Sequence, residues 1–167
     1  MTVRPLIAAA SLAALSALNA LPAAAAPPLS AKQFIAKAGA SDMWERKEAA
    51  IMTTSSNSDV AGFAKQMLVD HAKSTEMVKA AAAKDGITPD APALSAKQKA
   101  DFGALSASKG AARDSLYITQ QKAAHADALA LMQGYAKSGR MKNLKATAGE
   151  IAPVVQGHID MLGKITM

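Results

Sequence analysis

The sequence predicts an all-α fold: an antiparallel four-helix bundle with a short extra helix in the long connection between two helix pairs. Three observations predict it. Ala, Lys, Met and Gln dominate beyond residue 26 while β-branched runs are scarce, which is helix-forming composition. Apolar residues recur at three- and four-residue spacing along four long segments. Short turns lie within each pair of segments, and one longer, proline-bearing link separates the pairs.

Residues 1–26 read as an export signal and are set apart from the fold. Arg4 supplies a positive start, Leu6 to Leu21 is an apolar run rich in Ala and Leu, and Pro22 breaks it. Ala23 to Ala26 offers small-residue cleavage sites, after Ala25 or Ala26. The run is too short and too lightly flanked for a transmembrane anchor, so the expected mature chain has no membrane span. What remains, residues 27–167, is about 140 residues, an ordinary single domain. The expected location is the periplasm, with the outer membrane as a further place of association.

Cysteine is absent, which excludes a lipoprotein anchor, disulfides, Cys-ligated metal and a thiol nucleophile. The chain holds 19 basic and 13 acidic residues, and one of the basic ones, Arg4, lies in the leader, leaving +5 beyond it. That charge is spread evenly, and aromatics make up only 4% of residues, so neither a basic patch nor a base-stacking platform points to nucleic acid.

The first helix opens at Leu29-Ser30-Ala31-Lys32-Gln33-Phe34. Ser30 can cap it, Gln33 can reach back, and Leu29 can staple onto Phe34. Its inward stripe is Phe34, Ala38, Ser41, Glu45, Glu48 and Met52, the most polar of the four. Thr53 to Ser58 is a polar turn. The second helix, 59–84, carries Val60, Phe63, Met67, His71 and Val78, and Gly86 stops it. In the link to Leu94 lie Pro89 and Pro92, after which Leu94-Ser95-Ala96-Lys97-Gln98 repeats the opening phrase. The repeat reads as a capping phrase used twice, with a duplicated helix pair as the alternative. A short helix, 96–105, follows, weakened near Gly103 and Gly110.

The third long helix, 111–137, presents Ile118, Gln121, His125, Leu129, Met132 and Ala136, and Gly139 closes it. The fourth, from Met141, presents Leu144, Ala148, Ile151, Val155, His158, Leu162 and Ile165. Pro153 lies inside this pattern and is expected to kink or restart the helix.

All three histidines thus fall on inward stripes, one on each of three helices. An apolar stripe covers about three positions in seven, so chance would place all three there in roughly 8% of cases. Glu45 adds a carboxylate from the first helix. Imidazoles and a carboxylate converging from separate helices are the material of a bundle metal site for a divalent or transition ion. Folding back near residue 56 levels His71 with Ser41, about 6 Å along the axis from Glu45; folding back at Gly139 leaves His125 and His158 offset by about 6 Å. The long link leaves the register between the pairs open. The competing reading makes these histidines hydrogen-bonded core residues, with Asp70, Asp114, Tyr117, Gln121, Gln156 and Asp160 as nearby partners. The methionines read as core filler.

No enzyme template fits. A di-iron bundle places Glu three residues before a ligating His, where this chain has Leu68, Lys122 and Val155. There is no phosphate loop, nucleophile elbow or zinc-protease motif.

The order of features resembles a known family: Phe34-Ile35-x-x-Ala38, Met43-Trp44-Glu45, then Asn57-x-Asp59-Val60-x-x-Phe63-Ala64-x-x-Met67-x-x-Asp70-His71. Tyr117, Gln121 and His125 follow, then Gly139, Leu144-Lys145, Pro153 and His158. This resembles the bacterial secreted family catalogued as domain of unknown function four-one-four-two, whose members are labelled outer-membrane or exported proteins. The resemblance implies a ferritin-like bundle at the cell envelope, a link to stress responses, an acidic residue near Glu45, and histidines at the places of His71, His125 and His158. It supplies no reaction. Arg46-Lys47-Glu48-Ala49 departs from the family's Leu-Gly-type segment.

The first functional expectation is therefore a non-catalytic envelope bundle that binds a small ligand, a metal ion or an envelope partner. The alternative is a metal-binding or redox protein using His71, His125, His158 and Glu45. The sequence leaves the oligomeric state open.

Overall fold

A computed structural model describes residues 29–166; the predicted leader and its cleavage sites lie outside the described residues. Five helices carry the chain: α1 Ala31–Met52, α2 Ser58–Lys84, α3 Ala96–Ala107, α4 Gly110–Ser138 and α5 Lys142–Lys164. No strand occurs among the described residues, so the fold is all-α. α1 packs on α2 and α4 on α5; α2 with α5 and α1 with α4 join the two pairs, while α3 lies across α1 and α4.

Local chemistry sets the helix ends. Ser30 and Gln33 form the reciprocal cap expected of α1, and Ser95 and Gln98 repeat it at α3. Asn57 caps α2 by accepting from the backbone N–H of Asp59 and Val60. Gly86 ends α2 with φ +71°, a left-handed conformation that suits a residue without Cβ. Around it, Ile87 N–H donates to the Ala82 carbonyl and Gly86 N–H to the Ala83 carbonyl, the paired bonds of a Schellman turn. Gly139 is required for a different reason. A Cβ there would stand 2.6 Å from both the carbonyl oxygen and a ring carbon of Tyr135.

Two details differ from expectation. α3 runs through Gly103 to Ala107, and the break comes at Lys109, just before Gly110 with φ +57°. α5 continues through Pro153 as one helix, without the restart that was one of the two expectations there.

The predicted stripes face inward, and their apolar members build two separate cores. One holds Phe34, Ala38, Val78, Met132, Tyr135, Leu144, Ile151 and Val155, with the Phe34 and Tyr135 rings stacked at 4.0 Å. The other holds Met52, Val60, Phe63, Met67, Leu105, Tyr117, Ile118 and Leu162. Leu105 is the one buried residue of α3, pinning that helix to the second core. Between the two cores lies a layer of buried polar side chains, Asp42, Glu45, Glu48, His71, Gln121, His125 and His158.

What holds this layer in register is a bond between distant segments. The Asp85 carboxylate, at the end of α2, accepts from the backbone N–H of Asn143 at 3.1 Å and of Leu144 at 2.9 Å. It thereby caps α5, whose own N-cap residue, Met141, makes no side-chain cap. Asp70 meets His158 by the same antiparallel pairing, since 70 to 85 and 143 to 158 are equal steps along the two helices.

Candidate metal centre

α1 contributes Asp42 and Glu45, α2 Asp70 and His71, α4 Gln121 and His125, and α5 His158. The structure brings His71, His125 and His158 together: one ring nitrogen of each lies within 4.8 Å of those of the other two. Their ring centroids are 5.2–5.7 Å apart. All three are buried, His125 completely.

Each imidazole is anchored by one nitrogen. His125 Nδ1 is 2.9 Å from the Gln121 backbone carbonyl, which can only accept, so Nδ1 carries the proton. His158 Nε2 is 2.9 Å from Asp70 Oδ2, and His71 Nδ1 is 2.9 Å from Asp42 Oδ1. These carboxylates are themselves held. Gln66 donates to Asp70 at 2.7 Å and Thr75 to Asp42 at 2.9 Å. The nitrogens left over are His125 Nε2, His158 Nδ1 and His71 Nε2. A carboxylate or carbonyl behind each imidazole, fixing its tautomer and orientation, is the arrangement of ligating histidines.

The leftover nitrogens lack the partners they need. His125 Nε2 and His158 Nδ1 face each other at 3.2 Å. With both outer nitrogens protonated and both rings neutral, this contact sets lone pair against lone pair. Burial holds both rings below the ordinary histidine value, and the charge on His71 pushes each the same way, against the pull of Glu45 on one and Asp70 on the other. A positive centre between them reverses the contact from repulsive to attractive. Two ligands about 2.0–2.1 Å from a tetrahedral ion stand roughly 3.3 Å apart, close to the spacing observed.

Glu45 stands beside this triad. Its Oε1 accepts from Ser41 at 2.8 Å, and its Oε2 is 3.0 Å from His71 Nε2 and 3.4 Å from His125 Nδ1. The His71–Glu45 approach is short but off the alignment of a hydrogen bond, which leaves both atoms unsatisfied. Burial alone would raise the Glu45 carboxyl, but the charges of His71 and His125 and contacts with His71 and Ser41 outweigh it and hold it at about 2. Burial likewise disfavours a charged His71; the Glu45 charge and the Asp42 and Glu45 contacts overcome this and push it up to about 10. Without an ion the pair is a buried imidazolium–carboxylate contact.

Deeper in the layer, Glu48 accepts from Gln121 at 3.3 Å. Burial raises its carboxyl to about 8, with the Asp101 and Glu45 charges adding to the effect, so it is protonated at neutral pH. Glu48 Oε1, Gln121 Oε1 and Tyr117 Oη are buried without partners, alongside the unsatisfied atoms of Glu45 and His71. Each such atom costs about 1–3 kcal/mol in a dry interior, so the layer is a costly part of the core unless a further group meets these atoms.

Of the expected site residues, the three histidines meet as a group and Glu45 joins through His71. Among the residues named as nearby partners, Asp70 and Gln121 do hold His158 and His125; Asp114 instead accepts from Ser55 at 2.8 Å. Asp42 was missed. Its signal was its place three residues before Glu45, on the same side of α1, beside the Ser41 position that folding back had levelled with His71.

No curated protein and no solved structure matches this chain. The sequence does match the family described as Domain of unknown function (DUF4142) over residues 17–165, a span that takes in every helix and every residue of the polar layer. The chain belongs to the DUF4142 family, and its three anchored histidines lie within the part that defines that membership.

Proposed function

We propose that this protein binds a divalent first-row transition ion at His71, His125 and His158, with Glu45 as the fourth donor, inside an exported, ferritin-like helical bundle. The observation that carries the reading is the facing pair of bare nitrogens, His125 Nε2 and His158 Nδ1, each fixed from behind by an acceptor. A polar core built only for stability would pair those nitrogens with donors. Three imidazoles and one carboxylate, without thiolate, suit zinc, iron, copper or nickel. The ion displaces the Nε2 proton of His71, turning an ion pair into two ligands.

The envelope location rests on the leader sequence: Arg4, the apolar run to Leu21 and the small residues Ala23 to Ala26. Among the described residues no helix is long and apolar enough to cross a membrane.

Cobalt(II) titration of metal-stripped protein tests the site. The expected result is a set of visible ligand-field bands that grows to a stoichiometric end point and is lost in His125→Ala. Growth of no bands in wild-type protein would return the histidines to a structural role and the search to small ligands and envelope partners.

A further inference from the structure

The polar layer is not sealed on all sides. A small cavity, about 20 Å3 counted as space open to the centre of a water molecule, reaches the site and is lined by Glu45, His71 and His158 among others. That is room for about one water. His125 does not line it; its ring is covered by Phe63, at 6.0 Å between centroids. The cavity, lined from all four long helices, therefore meets His71 and His158 but not His125.

An outer recess continues it to the surface. Asp70, Ser74, Ile151 and Val154 line both spaces, and Val154 is 45% exposed. The passage is mostly apolar, with Val154, Val155, Ile151 and Met132 as walls. Three carboxylates border it, Asp42 and Glu45 at its inner end and Asp70 where the two spaces join. Together with a divalent ion and neutral imidazoles they leave the centre with a net negative charge, which disfavours anions.

We infer that the ion accepts a fifth ligand beyond its four protein donors, at a position open toward this passage, and that the position takes a neutral ligand of two or three heavy atoms entering beside Val154. This rests on the metal-binding reading above. Such an opening belongs to reactive rather than purely structural metal sites, which are closed by protein ligands. The ligand binds to the ion without any covalent change in the protein.

Nitric oxide is the neutral probe and azide the anionic one, each added to iron(II)-loaded protein without oxygen. Iron content is measured first: a protein that takes up no iron but gives the cobalt bands overturns this inference alone, and one that gives neither removes the metal reading as well. In iron-loaded protein the expected result is a nitrosyl adduct seen by electron paramagnetic resonance, with azide binding much more weakly. Val154→Trp, which fills the mouth from the surface, should take up the same iron but bind nitric oxide about tenfold more slowly. Val69→Trp, at an exposed position lining neither space, should keep the wild-type rate. Iron-loaded protein that forms no nitrosyl adduct, binds azide as well as nitric oxide, or loses no speed in Val154→Trp overturns the inference.

Discussion

His125 Nε2 and His158 Nδ1 face each other at 3.2 Å in a buried layer, and each ring is held from behind by an acceptor that claims its proton. Neither nitrogen has a donor to meet. Burial keeps both rings neutral, so the contact is unfavourable unless a positive centre joins them. The two apolar cores above and below supply the packing that holds this arrangement in place.

The acceptors behind the rings should therefore matter almost as much as the ligands. Asp70→Asn and Asp42→Asn keep shape but weaken the hold on the His158 and His71 rings. Metal affinity should fall about 10–100-fold in each, with the helical content unchanged. Competition against a chelating dye measures this; equal affinity in both variants would show that the outer bonds are incidental.

Metal-free protein should lose stability toward alkaline pH, by two routes. Glu48, raised to about 8, binds a proton in the folded state that it lacks when unfolded, so stability falls as pH rises from about 4.5 through about 8. His71, raised to about 10, contributes fully below about 6.5 and loses its contribution as pH rises through about 10. Glu45, lowered to about 2, acts at the other end: its contribution is present above about 4.5 and lost as pH falls through about 2.

Glu48→Gln separates the first route from the second. Gln keeps the shape and the bond to Gln121 but has no proton to lose. Denaturation at pH 9 should show the variant more stable than wild type, on the order of a few kcal/mol at most, with the difference vanishing near pH 5. Identical pH profiles would place Glu48 in contact with solvent.

Asp85 should prove a structural residue out of proportion to its exposure. Asp85→Ala removes the cap of α5 and the tie that sets α2 against it, so the melting temperature should drop and metal affinity should fall with it. Asp85→Asn retains an acceptor oxygen and should recover most of the loss. Equal melting temperatures for Asp85→Ala and wild type would contradict this.

The same residue explains where the sequence stopped being legible. The four stripes could be read because each repeats over many turns: the two glutamates on the α1 stripe are buried along with its apolar members, despite their charge. Contacts within a pair were approachable too, since a short turn fixes the level of its helices. His71 and Glu45, placed about 6 Å apart along the axis by that argument, are brought to contact by side-chain reach. Register between the pairs was out of reach, because it depends on Asp85 meeting Asn143 and Leu144 across 58 and 59 residues of chain. No local pattern announces that bond. Asp42 was hidden for a related reason: it looks like a solvent-facing charge until His71 is placed opposite it.

Elemental analysis of the protein purified without an affinity tag or chelator tests the central claim most directly. The account predicts near-stoichiometric transition metal in wild-type protein, lost in both His71→Ala and His158→Ala while the helical fold is retained. Metal-free wild-type protein that takes up no added ion, with both variants merely less stable, would contradict it and make the three histidines a polar core.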